Sequence, residues 1–210
     1  MSEVFNEDNM VGMARYADKY FDLAIVDPPY GIDVNMNMGK KKGEKARYEK
    51  KKWDKNIPDI TYFKELFRVS KNQIVFGGNY FAHLLPPSMG WICWDKAVPD
   101  GVSFSDFELA WSSFNIAAVK VILPYCGFIG LDKKRIHPTE KPVKLYDWVL
   151  KNYAKSGDKI IDTHLGSGNS RIAADGMGFD FVGFDDDVKY FEAHEKRFKE
   201  YKSQTKLFQL

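Results

Sequence analysis

The sequence predicts an α/β fold, a mostly parallel sheet with helices on both faces and an antiparallel edge. Three observations carry that prediction. The apolar run Phe21-Asp22-Leu23-Ala24-Ile25-Val26, closed by Asp27-Pro28-Pro29-Tyr30, reads as a short buried strand that leaves its sheet abruptly. Lys159-Ile160-Ile161-Asp162 reads as a second such strand, followed by a glycine-containing turn, a helix, a third strand and an acidic run at 185–187. Between them, segments of helical and of strand periodicity alternate.

At 210 residues the chain suits one domain with one good core. The segment 1–210 is therefore expected to be a single domain, with a basic flexible loop at about 33–56 and a small recognition insert within 96–136. No run approaches the roughly 20 apolar residues of a membrane span, and the N-terminus lacks a basic-then-apolar leader pattern. Cys93 and Cys126 are the only cysteines and have no metal spacing, so a reducing cytoplasmic setting is expected. His137 and His164 lack partnering Cys or acidic spacing and read as loop or packing histidines, with no metal site expected.

In chain order, Val4 to Asp8 ends a short strand and Asn9 to Tyr20 is expected to be a helix. The strand Phe21–Asp27 follows, and Gly31 to Asn56 shows no regular pattern. A helix over Ile60–Val69 is predicted from Tyr62, Phe63, Leu66 and Phe67 recurring at three and four. Gln73–Phe76 is a strand, with a short helix from Asn79 to Pro86; Gly90–Asp95 is another strand. Phe104–Ser112 and Ala117–Leu123 are expected as antiparallel strands at one edge, and Pro124–Ile136 as a loop. Pro142 opens a helix whose stripe is Leu145, Trp148, Val149 and Tyr153. Lys159–Asp162, a helix to Gly176, Phe179–Phe184 and a last helix from Val188 to Tyr201 complete the chain.

Two consecutive prolines cannot donate to a ladder, so the chain exits stiffly after Asp27. Ligands of open α/β sheets sit at such strand ends. An acceptor-only carboxylate, fixed proline carbonyls and the flat ring of Tyr30 suit a planar base that carries an amino group. The second strand supplies Gly166 and Gly168, which admit a close backbone approach. A helix N-terminus capped by Asn169 or Ser170 follows, and Asp185 lies 23 positions beyond Asp162, near the offset at which a carboxylate meets ribose hydroxyls. The third glycine of the dinucleotide fingerprint is missing, which disfavours NAD. Lys40, Lys41, Lys42, Lys45, Arg47, Lys50, Lys51 and Lys52 give residues 40–52 a local charge of +6, leaving about −4 elsewhere. Beside Asp27 this run reads as a phosphate-binding loop, although such runs are commonly just solvated surface.

Asp27-Pro28-Pro29-Tyr30 resembles the motif of the amino-group DNA methyltransferases that use S-adenosylmethionine. Asp162-Thr163-His164-Leu165-Gly166-Ser167-Gly168 looks like their cofactor loop, Gly183-Phe184-Asp185-Asp186-Asp187 like their ribose strand, and His137-Pro138-Thr139-Glu140-Lys141-Pro142 like the segment preceding the loop. With the catalytic motif first, the order resembles the permuted beta group, and the likeness spans about Val4 to Phe198. Thr163-His164 stands where the family has Pro-Phe, Asn169 where it has Thr, and Asp185 where it has Glu.

The resemblance implies a Rossmann-like, permuted methyltransferase fold. It also implies transfer of a methyl group from S-adenosylmethionine to N6 of an adenine flipped out of double-stranded DNA. Adenine is favoured because the motif opens with Asp. N4-cytosine methylation and a non-catalytic cofactor- or DNA-binding remnant are the alternatives, and a homodimer is left open. Asp27, Pro28, Pro29 and Tyr30 are the implied catalytic residues. Asp8, Asp27, Thr139, Lys141, Asp162, His164, Gly166, Ser167, Gly168, Asn169, Asp185 and Asp186 are the implied cofactor contacts. Within that set Asp8 is expected near the adenine, Thr139 or Lys141 near the carboxylate and Asp162 near the amino group.

Overall fold

The computed structural model describes residues 1–33, 53–101, 105–125 and 135–207. The candidate DNA-binding residues Lys40, Lys41, Lys42, Lys45, Arg47, Lys50, Lys51 and Lys52 lie outside the described residues. So do Cys126 and much of the expected recognition insert.

Among the described residues eight strands form one sheet, flanked by five α-helices. In chain order they are β1 (Ser2–Phe5), α1 (Asn9–Met13), β2 (Phe21–Val26), α2 (Ile60–Val69), β3 (Ser70–Phe76), β4 (Ile92–Asp95), β5 (Phe107–Ser112), β6 (Val119–Ile122), α3 (Val143–Tyr153), β7 (Lys159–Asp162), α4 (Asn169–Gly176), β8 (Asp180–Phe184) and α5 (Val188–Leu207). The spatial order is β1-β8-β7-β2-β3-β5-β4-β6. Every pairing is parallel except the two made by β5, which runs against β3 and β4.

Period-two alternation sends successive side chains to opposite faces. Leu23, Ile25, Ile74, Phe76 and Ile160 face one core, completed by Leu145, Val149 and Ala173 of α3 and α4. Ala24, Val26, Val75 and Ile161 face the other, against Met13 of α1 and Tyr62, Phe63 and Leu66 of α2. The strands are buried on both sides, which explains their near-continuous apolar runs. Asp59 caps α2 by accepting from the Thr61 and Tyr62 amides at 2.8 and 3.2 Å.

Four expectations are corrected. The first helix stops at Met13 rather than reaching Tyr20, because the backbone is already in turns there and Lys19 takes a left-handed conformation, φ 56°. Residues 79–85 form successive turns, not a helix. The antiparallel strand is not an edge pair: β5 lies inside the sheet, and the edge strand β6 runs parallel to β4. Neither Asn169 nor Ser170 caps α4, whose N-cap is Gly168 in a left-handed conformation, φ 71°, with no side-chain cap. Among the described residues no helix is long and apolar enough to cross a membrane.

Gly12 of α1 packs face-on to the buried Phe184 of β8, where an added Cβ would stand 2.4 Å from the ring. A Gly→Ala change inside a helix ordinarily stabilises by up to about 1 kcal/mol. Here overpacking reverses the sign: Gly12→Ala is expected to destabilise by about 1–3 kcal/mol, measured as a lowered urea midpoint with unchanged slope.

Candidate active site

Parallel pairing of β2 with β7, with Ala24 opposite Ile161, brings the ends of these two strands side by side although 135 positions separate Asp27 from Asp162. Both loops therefore open at the carboxyl ends of the strands and share a cavity of about 280 Å³.

On the β2 side the motif is tied in a closed ring of polar contacts. Tyr30 OH donates to Asp27 Oδ1 at 2.6 Å. Lys141 Nζ donates to Asp27 Oδ2 at 2.5 Å and to Tyr30 OH at 2.9 Å. Only 3% of the Lys141 side chain is exposed. Burial lifts the Asp27 carboxyl above its usual range although Lys141 pulls the other way. For Lys141, burial works to lower its pKa, but Asp27 and Glu108 outweigh it, so the amine stays charged. Burial and the carboxylate beside it push the Tyr30 phenol well above its ordinary value.

The exit backbone is pinned by Asp54, whose Oδ1 accepts from the Tyr30 and Gly31 amides at 2.8 and 3.0 Å. Tyr30 stacks on Tyr80, with centroids 4.8 Å apart and planes 13° from parallel. Its ring edge fits over Gly77, φ 69°, where a Cβ would stand 2.2 Å away.

On the β7 side Gly166 and Gly168 both have positive φ, 49° and 71°. Asp185 Oδ2 accepts from the Gly166 amide at 2.7 Å, and its Oδ1 from Asp187 N at 2.9 Å. Burial, with Asp186 and Asp187 nearby, raises Asp185 to about 7 even so. Asp162 accepts from His164 N at 3.0 Å and Ser170 Oγ at 2.6 Å, and burial raises it to about 7.

His164 lies edge-on to Tyr62, with ring centroids 5.2 Å apart. With Asn9 Nδ2 donating to Nε2 at 3.1 Å, the ring proton sits on Nδ1, facing Thr163 Oγ1 at 3.0 Å. Burial lowers its pKa to about 4, so it is neutral near pH 7. Asp8 is both the N-cap of α1, accepting from Met10 and Val11 amides, and a cavity residue.

Of the residues singled out in the sequence, Asp8, Asp27, Pro28, Pro29, Tyr30, Thr139, Lys141, His164, Gly166, Ser167, Asp185 and Asp186 line the cavity. Asp162, Gly168 and Asn169 stand behind its wall. Gly168 packs on His194, and Asn169 Nδ2 donates to the Lys141 carbonyl at 2.7 Å and Glu140 Oε1 at 3.1 Å. Arg197 closes that knot on Glu140 at 2.8 Å, so Asn169 fastens the 137–142 segment to the glycine turn.

Sequence reasoning missed Asp54, Tyr80, Glu140 and Glu108. Glu108 stands 3.5 Å from Lys141 Nζ and 3.3 Å from Lys96 Nζ. Burial acts to raise it, but those two cations hold it below its usual range. A single charge within the apolar strand Phe107-Glu108-Leu109-Ala110-Trp111 was the signal that could have found it.

Residues 111–196 match the N6_N4_Mtase family model, described as DNA methylase. The Type II methyltransferase M2.DpnII of Streptococcus pneumoniae is 36% identical over 61 residues, 29% of this chain and 23% of that protein. M.HinfI of Haemophilus influenzae is 32% identical over 69 residues, 33% of this chain and 19% of that protein. The chain thus spans about a fifth to a quarter of the length of these relatives.

The fold matches the M1.HpyAVI–SAM complex with TM-score 0.63 at 17% identity, covering 94% of this chain and 100% of the other. It also matches the cytosine-N4-specific PvuII DNA methyltransferase, with TM-score 0.62 at 12% identity, covering 93% and 85%. The molecule has the fold of the DNA methyltransferases, and its stretch 111–196 bears the signature of the N6/N4 DNA methylase family.

Proposed function

We propose that the chain transfers a methyl group from S-adenosylmethionine to the exocyclic N6 of adenine in double-stranded DNA. The observation that supports this most is the shared cavity, in which an amine-accepting carboxylate, Asp27, faces a glycine turn bounded by Asp185. The donor set fits the cofactor. Asp185 and Asp186 would offer acceptors to ribose hydroxyls, Asp8 and Glu7, on the same cavity wall, would meet the adenine end, and an acidic lining suits a cationic sulfonium and ammonium. When bound, S-adenosylmethionine supplies an electrophilic methyl group.

The chain's own task is to make the acceptor nucleophilic. The lone pair of an exocyclic amine is delocalised into its ring. Asp27, with the Pro28 carbonyl, accepts the two amine hydrogens and favours a pyramidal nitrogen, whose lone pair then points along the transfer axis. Positioning of this kind supplies up to about 7–11 kcal/mol, and oriented acceptors add an electrostatic share. Because burial raises its pKa, Asp27 can also hold the proton that the amine sheds. The Tyr30–Tyr80 stack offers the face on which an extruded base rests. Cytosine N4 is the second reading, since the matching family model joins both chemistries.

Asp27→Ala is expected to lower tritiated methyl transfer to unmodified DNA by at least about 10²–10³-fold while cofactor binding, measured calorimetrically, is partly retained. Full activity in that variant would refute the mechanism. Nucleoside analysis of DNA methylated by the wild type should yield N6-methyladenine and no N4-methylcytosine. Burial raises the Asp185 carboxyl to about 7, so it passes from mostly protonated to mostly ionised between pH 6 and pH 8. The ionised form is the better acceptor for hydroxyls, so cofactor affinity should rise up to about tenfold over that interval. Asp185→Asn should flatten the rise.

A further inference from the structure

Both oxygens of Asp27 are already engaged, Oδ1 by the Tyr30 hydroxyl and Oδ2 by the Lys141 ammonium. An arriving amine must displace one of them. Lys141 is the partner able to yield, because a second anion lies within its reach: Glu108 Oε2 is 3.5 Å from Nζ. The ammonium has three N–H groups and faces three oxygens, those of Asp27, Tyr30 and Glu108. It is almost fully buried, so an unpaired charge there would be strongly penalised.

Glu108 is fixed from two sides. Its backbone pairs with Trp94 in the antiparallel ladder, and Lys96 holds its Oε1 at 3.3 Å. Lys96, Glu108, Lys141 and Asp27 therefore alternate in sign and sum to zero. Lys141 can shift from one carboxylate to the other with no change in charge, no proton transfer and no movement of the backbone.

We infer that Glu108 is a positioning residue that draws the Lys141 ammonium off Asp27 as the acceptor amine enters, releasing the carboxylate oxygen that the reaction needs. This rests on the functional reading above and adds to it a group on β5 that never touches the base.

Asp27 is faced by Lys141, Tyr30, Tyr62, Tyr146, Asp162 and, through Lys141, Glu108. Burial pushes all three tyrosines well above their ordinary range, and Lys141 stays charged. In the acid range only the three carboxyls titrate, so Asp27 must be followed by its own assigned 13C-carboxyl resonance.

Glu108→Gln keeps the side chain's shape and removes its charge. In the full-length variant the KM for DNA should rise about tenfold, because Lys141 is left with Asp27 as its one anion. The S-adenosylmethionine dissociation constant should stay within about twofold. The Asp27 carboxyl should titrate at least about half a pH unit lower, because a neighbouring negative charge is gone. If either the DNA KM or the Asp27 titration is unchanged, or if cofactor affinity and melting temperature fall in step with KM, the inference is overturned. If the wild type is active and the variant matches it, only this inference falls. If the wild type methylates no DNA, the functional reading falls and takes the inference with it.

Discussion

The molecule depends on the parallel pairing of β2 with β7. Each strand ends in a segment that cannot continue a ladder, one because it holds two prolines, the other because it turns through left-handed glycines. Neither segment makes a site alone. Paired at the carboxyl ends of their strands, they bound one cavity from two walls, an arrangement open α/β sheets favour. The apolar alternation that buries Leu23 and Ile25 on one face and Ala24 and Val26 on the other fixes the register of that pairing. A slip of one residue would turn every core side chain toward the wrong layer.

Within the cavity, electrostatics follow from burial. Asp27, Asp162 and Asp185 all sit in surroundings that resist their ionisation, and each is partly compensated by a different device: an ammonium, a hydroxyl and amide, or two amides. Lys141 is the one cation placed against Asp27 among the described residues, and its neighbour Glu108 keeps it from being committed to that carboxylate alone. The 137–142 segment that carries Lys141 is itself held by the Glu140–Asn169–Arg197 knot. The glycine turn and the lysine are thus mechanically one piece.

Much of this was legible beforehand. Strand ends carrying unusual residues advertise themselves, so the Asp27–Tyr30 corner, the glycine turn and Asp185 could be read directly. Helices α2 and α3 were visible from apolar spacing. What escaped were features set by partners distant in sequence. The reversal of β5 depends on which strands flank it, and Phe107–Ser112 has no pattern that encodes direction. The early end of α1 reflects the chain's need to turn back into β2, which apolar spacing over residues 14–20 does not reveal. Asp54 is an ordinary acid in the sequence, and Glu108 stands out only as a charge in an apolar strand; their partners, the Tyr30 and Gly31 amides and Lys141, are brought near by the fold alone. Asn169 looked like a helix cap and proved to be a tie between loops because Gly168 already starts α4.

The slot at Gly77 has a consequence for how relatives of this chain should be read. Tyr30 can take its posture because position 77 has no side chain, leaving room for the ring where a methyl group would collide. The posture of the tyrosine in the four-letter signature at 27–30 therefore depends on a fifth position. A homologue preserving all four letters yet bearing alanine at 77 would have to seat that ring elsewhere, so the four letters alone do not report this geometry.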